Sequence, residues 1–166
     1  MTLTTHIAIA AAVTKSFGYA HPLLGFFAAI ASHYLSDAIP HWDYSMHAIA
    51  NDARKLDWDA GKASAFRRRI LSDVGFFAID GCLGTLAIIF LTRPSSHNEW
   101  LWIAGTIIGA CLPDFLQAVY LAGVRFLKPL QRFHDFCHTK IKLGPYPLIG
   151  IPFQIIIALA AIYFLR

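Results

Sequence analysis

"SHYLSDAIPHWDY", residues 32–44, follows the apolar run "PLLGFFAAIA" and gathers His33, Asp37, His41 and Asp43 around Pro40. An apolar run of this kind reads as a helix in lipid, and the proline ends it. What needs explaining is why so hydrophobic a chain concentrates ionisable groups at that point.

Of the 166 residues, 57% are hydrophobic and 14% charged, against roughly 25% charged in an ordinary soluble domain. Lipid is therefore the expected main solvent. A membrane helix needs ~20 mostly apolar residues, and spans are expected at about 3–18, 22–39, 70–92, 99–122 and 145–165, the first being shorter and carrying Lys15. The fold class is all-α, a polytopic transmembrane helical bundle of about five membrane helices. It forms one integral membrane domain over 1–166, with cytoplasmic connectors at about 40–69 and 123–144. The start "MTLTTHIAIAAAVTK" has no basic n-region and is read as a short mature helix. Cys82, Cys111 and Cys137 form no CxxC pair and are expected as free, buried thiols.

Basic residues concentrate in two connections, Arg54 to Arg69 and Arg125 to Lys142. By the positive-inside rule both face the cytoplasm, as does the N-terminus. The net charge of +4 follows from this topology rather than from a nucleic-acid groove, so no nucleic-acid partner is expected. Trp100 and Trp102 suit an interfacial belt at the outer end of the fourth span. In the first connector, Met46, Ile49, Leu56, Ala63 and Phe66 would form the apolar stripe of an amphipathic helix, with Gly61 as an interruption.

A carboxylate near the centre of a membrane helix costs about 2.5–3.5 kcal/mol on insertion scales, so each needs a partner, a cavity or a purpose. On this topology His6, His33, Asp37, Asp73, Asp80, Asp114, His134 and His138 all fall in the cytoplasmic leaflet. His33 and Asp37 share a helix face at i, i+4, as do His134 and His138 if their segment is helical. Imidazole and carboxylate donors without thiolates suit zinc first, with manganese or iron(II) as alternatives. A divalent metal makes hydroxide available near neutral pH, which points to hydrolysis. The plainer readings are an ion pair or cap at His33 and Asp37, an Asp80–Asp114 hydrogen bond between helices, and pairing of Asp73 with Arg67 to Arg69.

The early histidine, the helix ending in "DAIPHWD", the later "GACLPDF" and the segment "KPLQRFHDFCHT" together resemble the predicted membrane-bound metal-dependent hydrolases. These are small bacterial and archaeal inner-membrane proteins distantly related to zinc-dependent phospholipase C. The family's "PDxD" and "HRxxTHS" patterns are altered here: "PDFLQ" lacks the second aspartate, "PHWD" has histidine for the first, and Asp135 replaces the arginine. The resemblance carries over to His6, Asp114, His134 and His138, and in altered form to His41 and Asp43. It implies a metal-assisted hydrolase at the membrane.

The site expected from these readings has His6, His33, His41, Asp114, His134 and His138 as metal ligands. Asp37 or Asp80 orients imidazoles, and Asp43 serves as the base. The substrate would be a phospholipid or other lipid-linked ester, and a homo-oligomer is compatible with the sequence. The rival readings are a small proton-coupled transporter using Asp73, Asp80, Asp114 and His33 as a relay, and a non-catalytic adaptor whose buried polar groups serve only helix association.

Overall fold

The computed structural model describes residues 1–43, 60–121 and 124–165, with side chains in the long third helix described from Asp73 onward. The described residues are all-α: α1 (Leu3–Gly18), α2 (Pro22–Asp37), α3 (Ala60–Thr92), α4 (His97–Leu121), a 3-10 turn (Arg125–Leu127), α5 (Lys128–Cys137) and α6 (Pro147–Leu165). Among them α3, α4 and α6 are long and apolar enough to cross a membrane, over 73–92, 97–120 and 147–165.

The boundaries have local causes. Pro22 opens α2, where its missing N–H costs nothing; Pro40 lies just beyond its end and disfavours further helix. Helix α3 stops at Arg93, whose φ of 46° is left-handed, immediately before Pro94. At the start of α4, Glu99 N–H donates to Ser96 Oγ at 3.3 Å while the Glu99 carboxylate accepts from Ser96 N–H at 3.1 Å, a reciprocal cap.

Helix α1 is the centre of the bundle and touches α2, α3, α4 and α6. Ile7, Ala10, Ala11 and Thr14 are fully buried along it, and its alanines let neighbouring backbones approach closely. Helices α2 and α4 approach closely at Gly109, where an added Cβ would lie 2.6 Å from Phe26 O and 2.9 Å from Ala29 Cβ. The outer faces of α3 and α6 expose Phe76, Leu86, Phe90, Leu148, Ile156 and Phe164, far more apolar surface than a water-soluble monomer carries.

Three expectations are revised. The first connector is not wholly separate from the third span, because α3 runs unbroken for 33 residues from Ala60 and carries Gly61 in its first turn. Its stripe positions Met46, Ile49 and Leu56 lie outside the described residues. Trp102 is not an interfacial belt residue: it is fully buried, and its Nε1 donates to Thr14 Oγ1 at 2.8 Å. The three thiols are free, but none is fully buried: Cys82 is exposed, and Cys111 and Cys137 are half-buried.

Candidate metal centre

Asp37, at the last turn of α2, is 1% exposed and stands at the centre of the ionisable cluster. Its Oδ2 lies 3.1 Å from His33 Nε2 and 2.9 Å from His134 Nε2. Its Oδ1 lies 3.2 Å from His6 Nε2, 3.5 Å from the amino nitrogen of Met1 and 3.9 Å from His41 Nε2. The first turn of α1, the end of α2 and the inner face of α5 thus meet on one carboxylate.

The imidazoles of His6, His33 and His41 are held from behind. His33 Nδ1 donates to Ala110 O at 2.7 Å and His41 Nδ1 to Ile39 O at 2.6 Å. Ser36 Oγ donates to His33 O at 2.9 Å, which leaves the same oxygen to accept from His6 Nδ1 at 2.9 Å. A carbonyl oxygen only accepts, so the Nδ1 atoms of His33 and His41 carry the hydrogen; in neutral imidazole Nε2 then presents a lone pair. Those lone pairs face carboxylate oxygens, which also only accept.

The consequence appears as unsatisfied buried atoms: His6 Nε2, His33 Nε2, Asp37 Oδ1, His41 Nε2 and His134 Nδ1 have no hydrogen-bond partner. Each such group carries a desolvation penalty of about 1–3 kcal/mol. A cation among them turns the opposition into coordination. The donor atoms form two sets, each within 4.8 Å: His33, Asp37, Asp114 and His134, and then Asp37, His41 and His138. Asp37 belongs to both. The residues therefore fit one or two divalent ions held by nitrogen and oxygen alone, with no cysteine in either set.

Helix α4 supplies Asp114, whose Oδ1 is 3.5 Å from His33 Nε2 and 3.8 Å from His134 Nε2. Pro113 precedes it inside the helix and removes a backbone donor there. On the open side, Asp43 Oδ1 is 2.9 Å from His41 Nε2 and 2.6 Å from the Met1 amino nitrogen, while Oδ2 is 3.6 Å from His138 Nε2. Burial would raise the Asp43 pKa, but His41 and the Met1 ammonium outweigh it and hold the carboxyl below its ordinary range. His138 is displaced downward by burial, which outweighs the opposing pull of Asp37 and Asp43 and is assisted by the Lys142 ammonium.

The rim is tied down by backbone. Thr139 N–H donates to Asp37 O at 2.7 Å, and His41 and Lys142 form an isolated parallel bridge. These contacts bring the His41 and His138 rings to 4.8 Å between centroids.

The structure thus brings together His6, His33, Asp37, His41, Asp43, Asp114, His134 and His138. His6 is in neither donor set, but its ring stacks on His33 at 3.8 Å. Asp80 is also in neither set: its carboxylate accepts from Thr4 N–H at 3.1 Å and Thr4 Oγ1 at 2.6 Å, joining α3 to α1. Sequence reasoning gave Asp37 a supporting role where geometry makes it the shared donor. It also missed Ser36, Lys142 and the Ala110 carbonyl; only the first two carry any side-chain signal.

The chain matches no family model, no curated protein and no solved structure.

Proposed function

We propose that the cluster is the metal centre of a membrane-embedded hydrolase, with His33, Asp37, Asp114 and His134 holding one divalent ion and Asp37, His41 and His138 a second. The observation that carries this reading is the convergence on Asp37 of buried imidazole lone pairs from His6, His33 and His41, whose Nδ1 atoms are already committed. Zinc is the first choice of metal, with manganese or iron(II) as alternatives. The likeness of "DAIPHWD", "GACLPDF" and "KPLQRFHDFCHT" to the predicted membrane-bound metal-dependent hydrolases points the same way.

A divalent metal supplies Lewis acidity and brings the pKa of water near neutrality. The protein's part is orientation. Ala110 O and Ile39 O fix the imidazoles, Ser36 seats His6, and Asp43 offers an ionised carboxylate at the mouth to accept a hydrogen bond from water. His41 and the Met1 ammonium make Asp43 a weak base, so proton loss from water would rely on the metal's acidity. The substrate class is a phospholipid or lipid-linked phosphoester. In this reading the chain crosses a bacterial or archaeal inner membrane five times, with its N-terminus and the centre on the cytoplasmic side. At ~1.5 Å per residue the 16 residues each of α1 and α2 are short for a ~30 Å hydrocarbon core; packing of α1 among the longer helices would offset this.

Elemental analysis of detergent-purified wild type beside His134→Ala and Asp114→Ala tests the proposal. Stoichiometric metal in the wild type, lost in both variants, is expected, followed by turnover of phospholipid phosphoesters. Wild-type protein without metal after mild purification would sink it and leave the cluster as a store of protons, the chemistry a coupled transporter needs.

A further inference from the structure

Helix α5 carries His134 inward, but its other faces have no role in the metal centre. Leu130, Phe133 and Phe136 recur every third residue on one face and are exposed, Phe136 by 84% and Phe126 in the preceding turn by 79%. Lys128, Gln131 and Asp135 lie on the opposite face, with Arg132 at one edge of the apolar stripe. At the other edge His134 and Leu127 are buried against the bundle. The helix therefore has three sectors: protein, apolar and polar.

We infer that α5 lies in the plane of an anionic phospholipid leaflet, with Leu130, Phe133 and Phe136 in the acyl boundary and the cations around it on lipid phosphates. Two observations select this occupant. The helix follows directly in sequence from α4, one of the candidate spans, which puts it where a span emerges. Around it Arg125, Lys128, Arg132, Lys140 and Lys142 are exposed, against the single acid Asp135, whose Oδ1 accepts from Gln131 Nε2 at 2.9 Å. A second copy on the same face would set these cations against their own kind, whereas an anionic leaflet complements them. An amphipathic helix with aromatic and leucine anchors and a basic polar side has the composition of an in-plane helix. This inference is independent of whether the metal centre is hydrolytic.

The test uses the whole protein, with its three cysteines replaced by serine, reconstituted in phosphatidylglycerol or phosphatidylcholine vesicles. Nitroxides are placed singly at Leu130, Phe133, Phe136, Gln131 and Asp135. The first three are expected to be open to oxygen and closed to a water-soluble nickel chelate, about 5–10 Å below the headgroup boundary, with the reverse at Gln131 and Asp135. They are expected to sit deeper in the anionic vesicles. Equal access of the chelate to both sets would overturn the inference, as would spin–spin coupling between copies at the apolar positions, and equal depth in the two lipids would overturn the anionic leaflet. If the cysteine-free protein fails to fold, Phe136→Trp in the native background is expected to be quenched by acyl-brominated lipid and Asp135→Trp spared; equal quenching overturns the inference.

Discussion

His33 Nε2 lies 3.1 Å from Asp37 Oδ2 while its Nδ1 is already bound to Ala110 O at 2.7 Å. One turn of helix thus aims an imidazole lone pair at a carboxylate, with both residues 1% exposed. The pair can be relieved by a cation between them or by a second proton on the ring, and the two resolutions have opposite consequences for substitution.

Asp37→Asn separates them. An asparagine amide donates where the carboxylate could only accept, so it would satisfy the Nε2 lone pair of His33 directly. If the cluster is built for metal, the variant loses both ions, yet after chelation it is more stable than chelated wild type by about 1–3 kcal/mol. If the rings are instead imidazolium partners of Asp37, the same change breaks a buried ion pair and costs about 3–5 kcal/mol. Thermal melts in detergent with excess chelator distinguish the signs.

Gly109→Ala should disturb the centre without touching a donor. Its new methyl would meet Phe26 O at 2.6 Å, forcing α4 away from α2, and α4 carries both Asp114 and the carbonyl that orients His33. The expected cost is about 1–3 kcal/mol of stability, with metal affinity falling about 10–100-fold, the usual penalty for losing a ligand's supporting contact. Unchanged affinity by competition with a chromophoric chelator would argue that His33 needs no anchor.

What the sequence disclosed follows from the reach of each signal. Long apolar runs announce α3, α4 and α6, and the i, i+4 spacing of His33 and Asp37 survives because it is internal to one helix. The sharing of Asp37 between two donor sets depends on α2, α4 and α5 converging, which no local pattern encodes. The Ala110 carbonyl carries no residue-type signal at all. Trp102 shows the opposite failure: tryptophan near a span's end suggests a headgroup belt, but Gly18 and Gly25 leave room beside the indole, and Thr14 supplies its acceptor.

Trp102→Phe is accordingly a stability variant and not a site variant. Thr14 Oγ1 still donates to Ala10 O at 2.8 Å and stays 3.1 Å from Thr106 Oγ1, so a single hydrogen bond is lost, worth about 0.5–1.5 kcal/mol, together with some packing. Melting should shift downward while metal content stays at the wild-type level. A loss of metal would mean that the α1–α4 packing at this end of the bundle governs the geometry of the centre at the other.

Lys142 offers a handle on pH. Its Nζ lies 3.0 Å from His138 Nδ1, and after burial it is the leading influence lowering the His138 pKa from the ordinary 6.5, while Asp37 and Asp43 act to raise it. A lowered folded-state pKa keeps the ring neutral, and so able to ligate, above that value; ligation is lost as pH falls through it. Metal held by Asp37, His41 and His138 should therefore survive mild acidification below the pH at which a free histidine would protonate. Lys142→Gln removes the cation, lets the His138 pKa rise and should move the release midpoint to higher pH, whereas Lys142→Arg keeps the charge and should leave it near the wild-type position. Retained metal after equilibration across a pH series reads this directly. A midpoint in Lys142→Gln that equals the wild type, or lies at lower pH, would mean that His138 does not hold the second ion.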